Sequence, residues 1–148
     1  MAPVNWQPVL MDRDGNVIGT FLKGDPYLRD LKFVKGHTSA LTSVMWHPHN
    51  KTNFLTSSFD STVRIWDYNF VRSSKCCFFT NTNGTRRYAM TAAVFSSDGR
   101  QVISGDDNGF IRIWNSEYTS STPQMSISAH AKGLAITRFI NWLILASK

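Results

Sequence analysis

At 148 residues, 42% hydrophobic and 18% charged, the chain has the composition of a globular domain able to bury a core. Its net charge of +6 permits contact with nucleic acid or acidic proteins, but the basic residues are scattered and their densest cluster is Arg86 with Arg87. The only cysteines, Cys76 and Cys77, are adjacent and on a strand would point to opposite faces, which excludes a disulfide framework and suits a reducing compartment.

The opening MAPVNWQPVLMDRDG has no basic segment followed by an apolar run, so no signal peptide is expected. Residues 1–7 carry no structural signal. Pro8 to Asp12 and Val17 to Leu22 are apolar runs around the turn pair Asp14-Gly15, the pattern of a β-hairpin. Gly24 and Pro26 break the polar stretch that follows, which predicts a loop leading into a short strand near Leu31 to Val34. Leu41 to Trp46 predicts a strand ended by Pro48, which has no N–H for a ladder. Asn53 to Ser57 is the next strand, Phe59 to Ser61 a tight turn, and Thr62 to Trp66 a strictly alternating third strand. Lys75 to Thr80 can add a fourth.

A second set follows the polar loop Asn81 to Arg87. Its strands are expected over Tyr88 to Phe95, Gln101 to Ser104 and Phe110 to Trp114, with Pro123 to Ser128 as an outer strand. Turns fall at Ser97-Asp98-Gly99-Arg100 and Asp107-Asn108-Gly109. The longest apolar segment, Leu134 to Ala146, is too short to span a bilayer and carries Arg138 and Asn141, so the chain reads as intracellular and soluble, with no membrane partner. On that reading the sequons at Asn50 and Asn83 are polar loops.

The two sets are copies. TVRIWD at Thr62 returns as FIRIWN at Phe110, with Trp66 and Trp114 48 positions apart, and Gly36-His37 returns as Ala129-His130, 93 positions on. Helical solenoids of similar period need apolar faces at 3.6-residue spacing, which are absent. A four-strand unit framed by GH and WD is the signature of WD repeats. The chain therefore resembles the WD-repeat β-propeller family, in which four-stranded antiparallel blades ring a channel. The expected fold is all-β: two complete blades and two half blades of a propeller. Residues 1–7 are a tail, 8–35 the last strands of a preceding blade with a linker, 36–84 a complete repeat, 85–128 a divergent repeat, and 129–148 the truncated opening of another, with strands at Ile136 to Phe139 and Leu143 to Ser147. Family propellers usually have more blades, so this chain is expected to be a fragment, marginal alone and prone to associate through open edges.

The resemblance implies a structural network of His37, Thr56 (or Ser58 on the same face), Asp60 and Trp66. A buried imidazole needs partners on both nitrogens, and an indole N–H needs an acceptor. The same residue types could suggest a hydrolase triad, but they stand where the fold needs a hydrogen-bonded set. In the second copy Thr85 and Arg86 take the Gly-His positions and Asn108 that of the turn Asp. That blade is expected to lack the network and to be held by packing of Val94, Phe95, Val102, Ile103, Ile111 and Ile113 alone.

Nothing else in the sequence argues for catalysis, a metal or a cofactor. His47-Pro-His49 has no third ligand and reads as a solvated loop. The cysteines lack CxxC spacing, and the pairs Asp12/Asp14 and Asp106/Asp107 fall in turns, where Asp caps backbone. Within the family, DRDG followed by KGDPYLRDLKFVKGHTSALTSVMWHP is similar to the gastrulation-defective group. That likeness implies a nuclear, non-enzymatic protein-interaction scaffold linked to cullin-type ubiquitin-ligase assembly and to DNA double-strand breaks. The alternative is a basic module contacting nucleic acid or chromatin. The ligase-adaptor motif places an Arg two residues after WD, where this chain has Asn69 and Glu117, so a cullin-ligase adaptor is expected only as a partner of the full-length protein. Family practice puts partners on rim loops, here including Arg72, Arg86, Arg87 and Lys132.

Overall fold

The turns decide where the strands begin and end. In the first, the Asp12 carboxylate accepts the backbone N–H groups of Asp14 and Asn16, and Gly15 takes φ +86°. Asp can receive two backbone donors at once, and the left-handed step is one that glycine makes without steric cost. The result is an antiparallel hairpin of β1 (Val9–Met11) and β2 (Val17–Thr20). The structure, a computed structural model, describes residues 6–80, 87–129, 131 and 136–137.

Two four-stranded antiparallel sheets follow. The first comprises β3 (Leu41–Trp46), β4 (Asn53–Ser58), β5 (Thr62–Asp67) and β6 (Cys76–Phe79), in that spatial order. The second comprises β7 (Met90–Phe95), β8 (Gln101–Asp106), β9 (Phe110–Asn115) and β10 (Met125–Ser128), likewise a meander. The registers match: Trp66 opposes Phe54 as Trp114 opposes Val102. Both inner strands carry an irregularity at the same place, between Leu41 and Ser43 and between Met90 and Ala92.

The sheets stack face to face. Leu55, Val63, Ile65, Cys76 and Phe78 of the first pack on Met90, Ala93, Phe95, Val102 and Trp114 of the second in one buried cluster. Period-two alternation puts these residues on facing surfaces. Cys76 and Cys77 point to opposite faces, Cys76 into this cluster and Cys77 into a smaller one with Leu31 and Phe79. The β1–β2 hairpin lies on the other face of the first sheet, where Phe21 contacts Phe54 and Trp66 edge-on at centroid distances of 5.0 and 5.3 Å. Burial of that one ring contributes about 2 kcal/mol by transfer.

One expectation fails here and another is incomplete. No strand forms at Leu31 to Val34. The Asp30 carboxylate caps the Lys32 N–H and its carbonyl accepts the Phe33 N–H, so the segment turns, and Leu31 and Val34 are buried singly. The His47-Pro-His49 loop is not merely solvated. His47 Nε2–H donates to the Gly99 carbonyl (3.2 Å), His49 Nε2–H donates to that of Ser97 (2.9 Å), and the His47 ring meets Phe95 edge-on at 4.7 Å. The two imidazoles fasten one sheet's turn to the other's. Gly99 permits this: it has φ +73°, and a Cβ there would come within 2.3 Å of the His47 ring. The strands expected within residues 136–147 lie outside the described residues except Ile136 and Thr137, which form none. Ile136 is buried over Gly105, and its N–H donates to the Asp106 carbonyl (3.0 Å).

Candidate functional site

The Gly-His pair sits where the loop after β2 returns to the sheet. Gly36 has no room for a Cβ, which would lie 2.0 Å from the Leu22 carbonyl oxygen. That close approach drives His37 into the interior, where it is fully buried. The structure brings His37 together with Thr56 on β4, Asp60 in the β4–β5 turn and Trp66 on β5. His37 Nδ1 is 2.9 Å from Asp60 Oδ2, His37 Nε2 is 2.7 Å from Thr56 Oγ1, and Trp66 Nε1 is 2.7 Å from Thr56 Oγ1.

The protons can be assigned. The ionised Asp60 beside Nδ1 can only accept, which makes Nε2 the bare nitrogen, and Trp66 can only donate, so Thr56 accepts from Trp66 and donates its own hydrogen to His37 Nε2. That leaves the imidazole hydrogen on Nδ1, donated to Asp60. Asp60 also accepts the Thr38 and Thr62 backbone N–H groups and the Thr62 hydroxyl. Burial would raise the Asp60 carboxyl, but the His37 bond and charge, the Thr62 hydroxyl and the Thr38 N–H together hold it at about 2. Burial pushes His37 below its ordinary value, against the upward pull of Asp60. The set is thus a neutral imidazole bonded to an ionised carboxylate, with the Thr56 hydrogen committed to Nε2. An activated nucleophile would instead lie open to substrate. Between the two candidates for the hydroxyl, Thr56 is the His37 partner, while Ser58 Oγ donates to the Ser39 carbonyl and accepts the Asp60 N–H. Sequence reasoning missed Thr62, whose alternation with Val63 and its position two residues after Asp60 were the available signal.

The second sheet corrects the expectation of packing alone. Trp114 Nε1–H donates to Ser104 Oγ (2.9 Å), as Trp66 does to Thr56. Asp106, fully buried at the end of β8, pairs with Arg112 on β9 and accepts the backbone N–H groups of Asn108 and Phe110. A carboxylate two residues before the expected position and a cross-strand guanidinium replace the His–Asp pair. The matching Arg64 of the first sheet is fully buried and has no carboxylate partner among the described residues. Its Nη1 donates to the Val34 carbonyl (2.7 Å) and Ser74 Oγ (2.8 Å), while Nε and Nη2 have no partner there.

Of the rim residues, Arg72 and Arg87 are exposed, and Arg86 and Lys132 lie outside the described residues. Arg87 Nη2–H reaches the Arg29 carbonyl at 3.4 Å, which places it beside the loop before β3 and away from Arg72 in the β5–β6 connection. Both thiols are buried. Burial raises Cys77 to about 12, and Cys76 also shifts up through burial. Among the described residues no cluster of three or more His, Cys, Asp or Glu could hold a metal.

The family model described as WD domain, G-beta repeat, matches residues 28–67 and 76–115. The chain is 35% identical over 129 residues to WD repeat-containing protein 70 of Xenopus tropicalis, covering 87% of this chain and 21% of that protein. It is 34% identical over 127 residues to the Homo sapiens protein of that name, covering 86% and 19%. To the Gastrulation defective protein 1 homolog of Drosophila melanogaster it is 33% identical over 137 residues, covering 92% and 21%. The chain thus spans about a fifth of the length of these relatives. Among solved structures it is similar to a chain of a mitotic checkpoint complex (TM-score 0.52, 19% identity, 68% of this chain and 28% of that one). It is also similar to a chain of a humanized Chaetomium thermophilum Polycomb Repressive Complex 2 (TM-score 0.53, 19% identity, 74% and 22%). At those identities the likeness shows the blade fold.

Proposed function

The chain belongs to the WD-domain, G-beta-repeat family, and on that premise we propose that it is part of a nuclear protein-interaction scaffold that serves ubiquitin-ligase assembly and the response to DNA double-strand breaks. The observation that carries the scaffold reading is the division of labour in the fold. The polar sets, His37–Thr56–Asp60–Trp66 and Ser104–Trp114 with Asp106–Arg112, are spent inside the blades. The loops between strands meanwhile present exposed Tyr27 and Phe33 in the segment that carries Arg29 and Lys32, and exposed Phe59 in the β4–β5 turn. Rigid sheets with aromatic and Arg-bearing loops suit recognition of protein surfaces. The non-enzymatic part of the proposal is supported by the His37 set, whose acid, base and hydroxyl are buried and bonded to one another. The nuclear, ligase and break-response parts are supported by likeness to the gastrulation-defective group.

Proximity labelling from the tagged chain in cells tests each part. The expected result is nuclear signal, biotinylation of cullin-ligase subunits, and more of it after double-strand breaks. Signal confined to the cytoplasm removes the nuclear assignment, and a labelled set without ligase subunits removes that link. No protein enriched over an unfolded Trp66→Ala, Trp114→Ala control sinks the scaffold reading.

A further inference from the structure

The loop before β3 and the outer edge of the first sheet form a concavity of 240 Å³ whose cations form no ion pair among the described residues. Arg29, Lys32 and Arg87 line it, and Leu31 and Phe79 give it an apolar base. It is brought together from distant parts of the sequence: Arg87 reaches the Arg29 carbonyl across 58 positions, and Ser121 closes the far side. Two Asx turns shape the loop, with Asp25 capping Tyr27 and Asp30 capping Lys32.

The electrostatics are one-sided. Asp30 is the single carboxylate lining the concavity against three cations, and none of the three forms an ion pair among the described residues. Arg87 commits one of its five donors to the fold. A further guanidinium belongs to the same sheet. Arg64 stands opposite Cys77 in the strand register, and Cys77 shares a cluster with Leu31 and Phe79. Arg64 is fully buried, with Nε and Nη2 unpartnered among the described residues. A low-dielectric base strengthens any charge–charge contact made on it.

We propose that this concavity is a recognition site for an anionic side chain, phosphate or carboxylate, of a partner protein. Arg29 and Arg87 supply planar donor forks that fit either oxyanion, and Lys32 supplies a point charge. The inference rests on the scaffold reading and names the chemistry of its partner.

The 148-residue chain, labelled with ¹⁵N, is titrated separately with N-acetyl-phosphoserine amide, N-acetyl-glutamate amide and a short DNA duplex, with the arginine Nε–H signals as the readout. Saturable shifts at Arg29 and Arg87, with Arg13 in the β1–β2 turn unmoved, are expected from at least one of the two amino-acid amides. Phosphoserine alone assigns a phosphorylated residue, and glutamate alone or both assigns an acidic one. Arg87→Gln should weaken binding about tenfold. Lys32→Gln removes no side-chain bond of the fold and should weaken it in the same direction. Equal shifts at Arg13, no saturable shift at Arg29 and Arg87, or unchanged affinity in both variants overturns the proposal. So does DNA binding there more tightly than either amide with steep loss in salt. Each of these outcomes is independent of proximity labelling, so the site can fail while the scaffold reading stands.

Discussion

Each donor in the chain from Trp66 through Thr56 to His37 has one acceptor, which makes Thr56 the residue on which the chain turns. Thr56→Val keeps the shape and removes both contacts, leaving an indole N–H and an imidazole nitrogen unsatisfied in the interior. The expected cost is about 3 kcal/mol by urea denaturation. The same set predicts the acid limb of stability. His37 lies below its ordinary 6.5, so its contribution is complete above that pH and declines as pH falls beneath it. Asp60 lies at about 2 against an ordinary 3.8, so its contribution is complete above 3.8 and is lost as pH falls through about 2. That second contribution is on the order of 2 kcal/mol. Asp60→Asn should flatten the urea midpoint between those two values, and His37→Gln should remove the earlier decline. A midpoint that falls equally in all three proteins would refute the assignment.

At the scale of the element, the two sheets reach one shape by different polar chemistry. In the first, a turn carboxylate holds a histidine delivered by the preceding loop. In the second, the carboxylate has moved back to Asp106 at the end of β8 and holds Arg112 on the neighbouring strand. That pair is buried, so its net contribution depends on keeping both members. Asp106→Asn and Arg112→Met are each expected to cost about 3 kcal/mol, because each strands a buried partner. The double variant should cost clearly less than their sum, a coupling that a double-mutant cycle reads directly. Additive costs would mean that the backbone bonds of Asp106 to Asn108 and Phe110 carry its role alone.

For the whole molecule, what matters is that the largest buried cluster is shared between the two sheets. Phe95 of the second sheet is fully buried against the first, and Cys76 of the first lies in the same cluster. Phe95→Ala should therefore cost about 3–5 kcal/mol and loosen both sheets together. The cysteines report on this without added probes. Burial holds both thiols protonated, so neither should react with iodoacetamide in the native chain at neutral pH. In Phe95→Ala, Cys76, which faces the shared cluster, should label before Cys77, which faces Leu31 and Phe79. Equal labelling would show that the sheets open as one unit. Faster labelling at Cys77 would contradict the packing.

The strand ladder and the repeat were legible in the chain because alternation, turn pairs and the spacing of Trp66 and Trp114 are local or periodic properties. Eight strands of the two sheets stand where the apolar runs put them, and so does the hairpin around Asp14-Gly15. The His37 network was legible only through the family resemblance, which puts its members at fixed offsets within one repeat. Partner choice across strands and between sheets was not. Asp106 reads as a turn cap until β9 places Arg112 beside it, and His47 and His49 read as loop residues until the second sheet presents Gly99 and Ser97. The segment at Leu31 to Val34 reads as a strand because its apolar residues are visible and the absence of a pairing edge is not. Arg29 and Arg87 become neighbours only when the stack closes the 58 positions between them. The sequence by itself determined the repeating unit, because secondary structure follows from near-neighbour sterics and hydrophobic period. Only the tertiary structure decided which charges are buried in pairs and which stay exposed to a partner, because that depends on distances the chain acquires on folding.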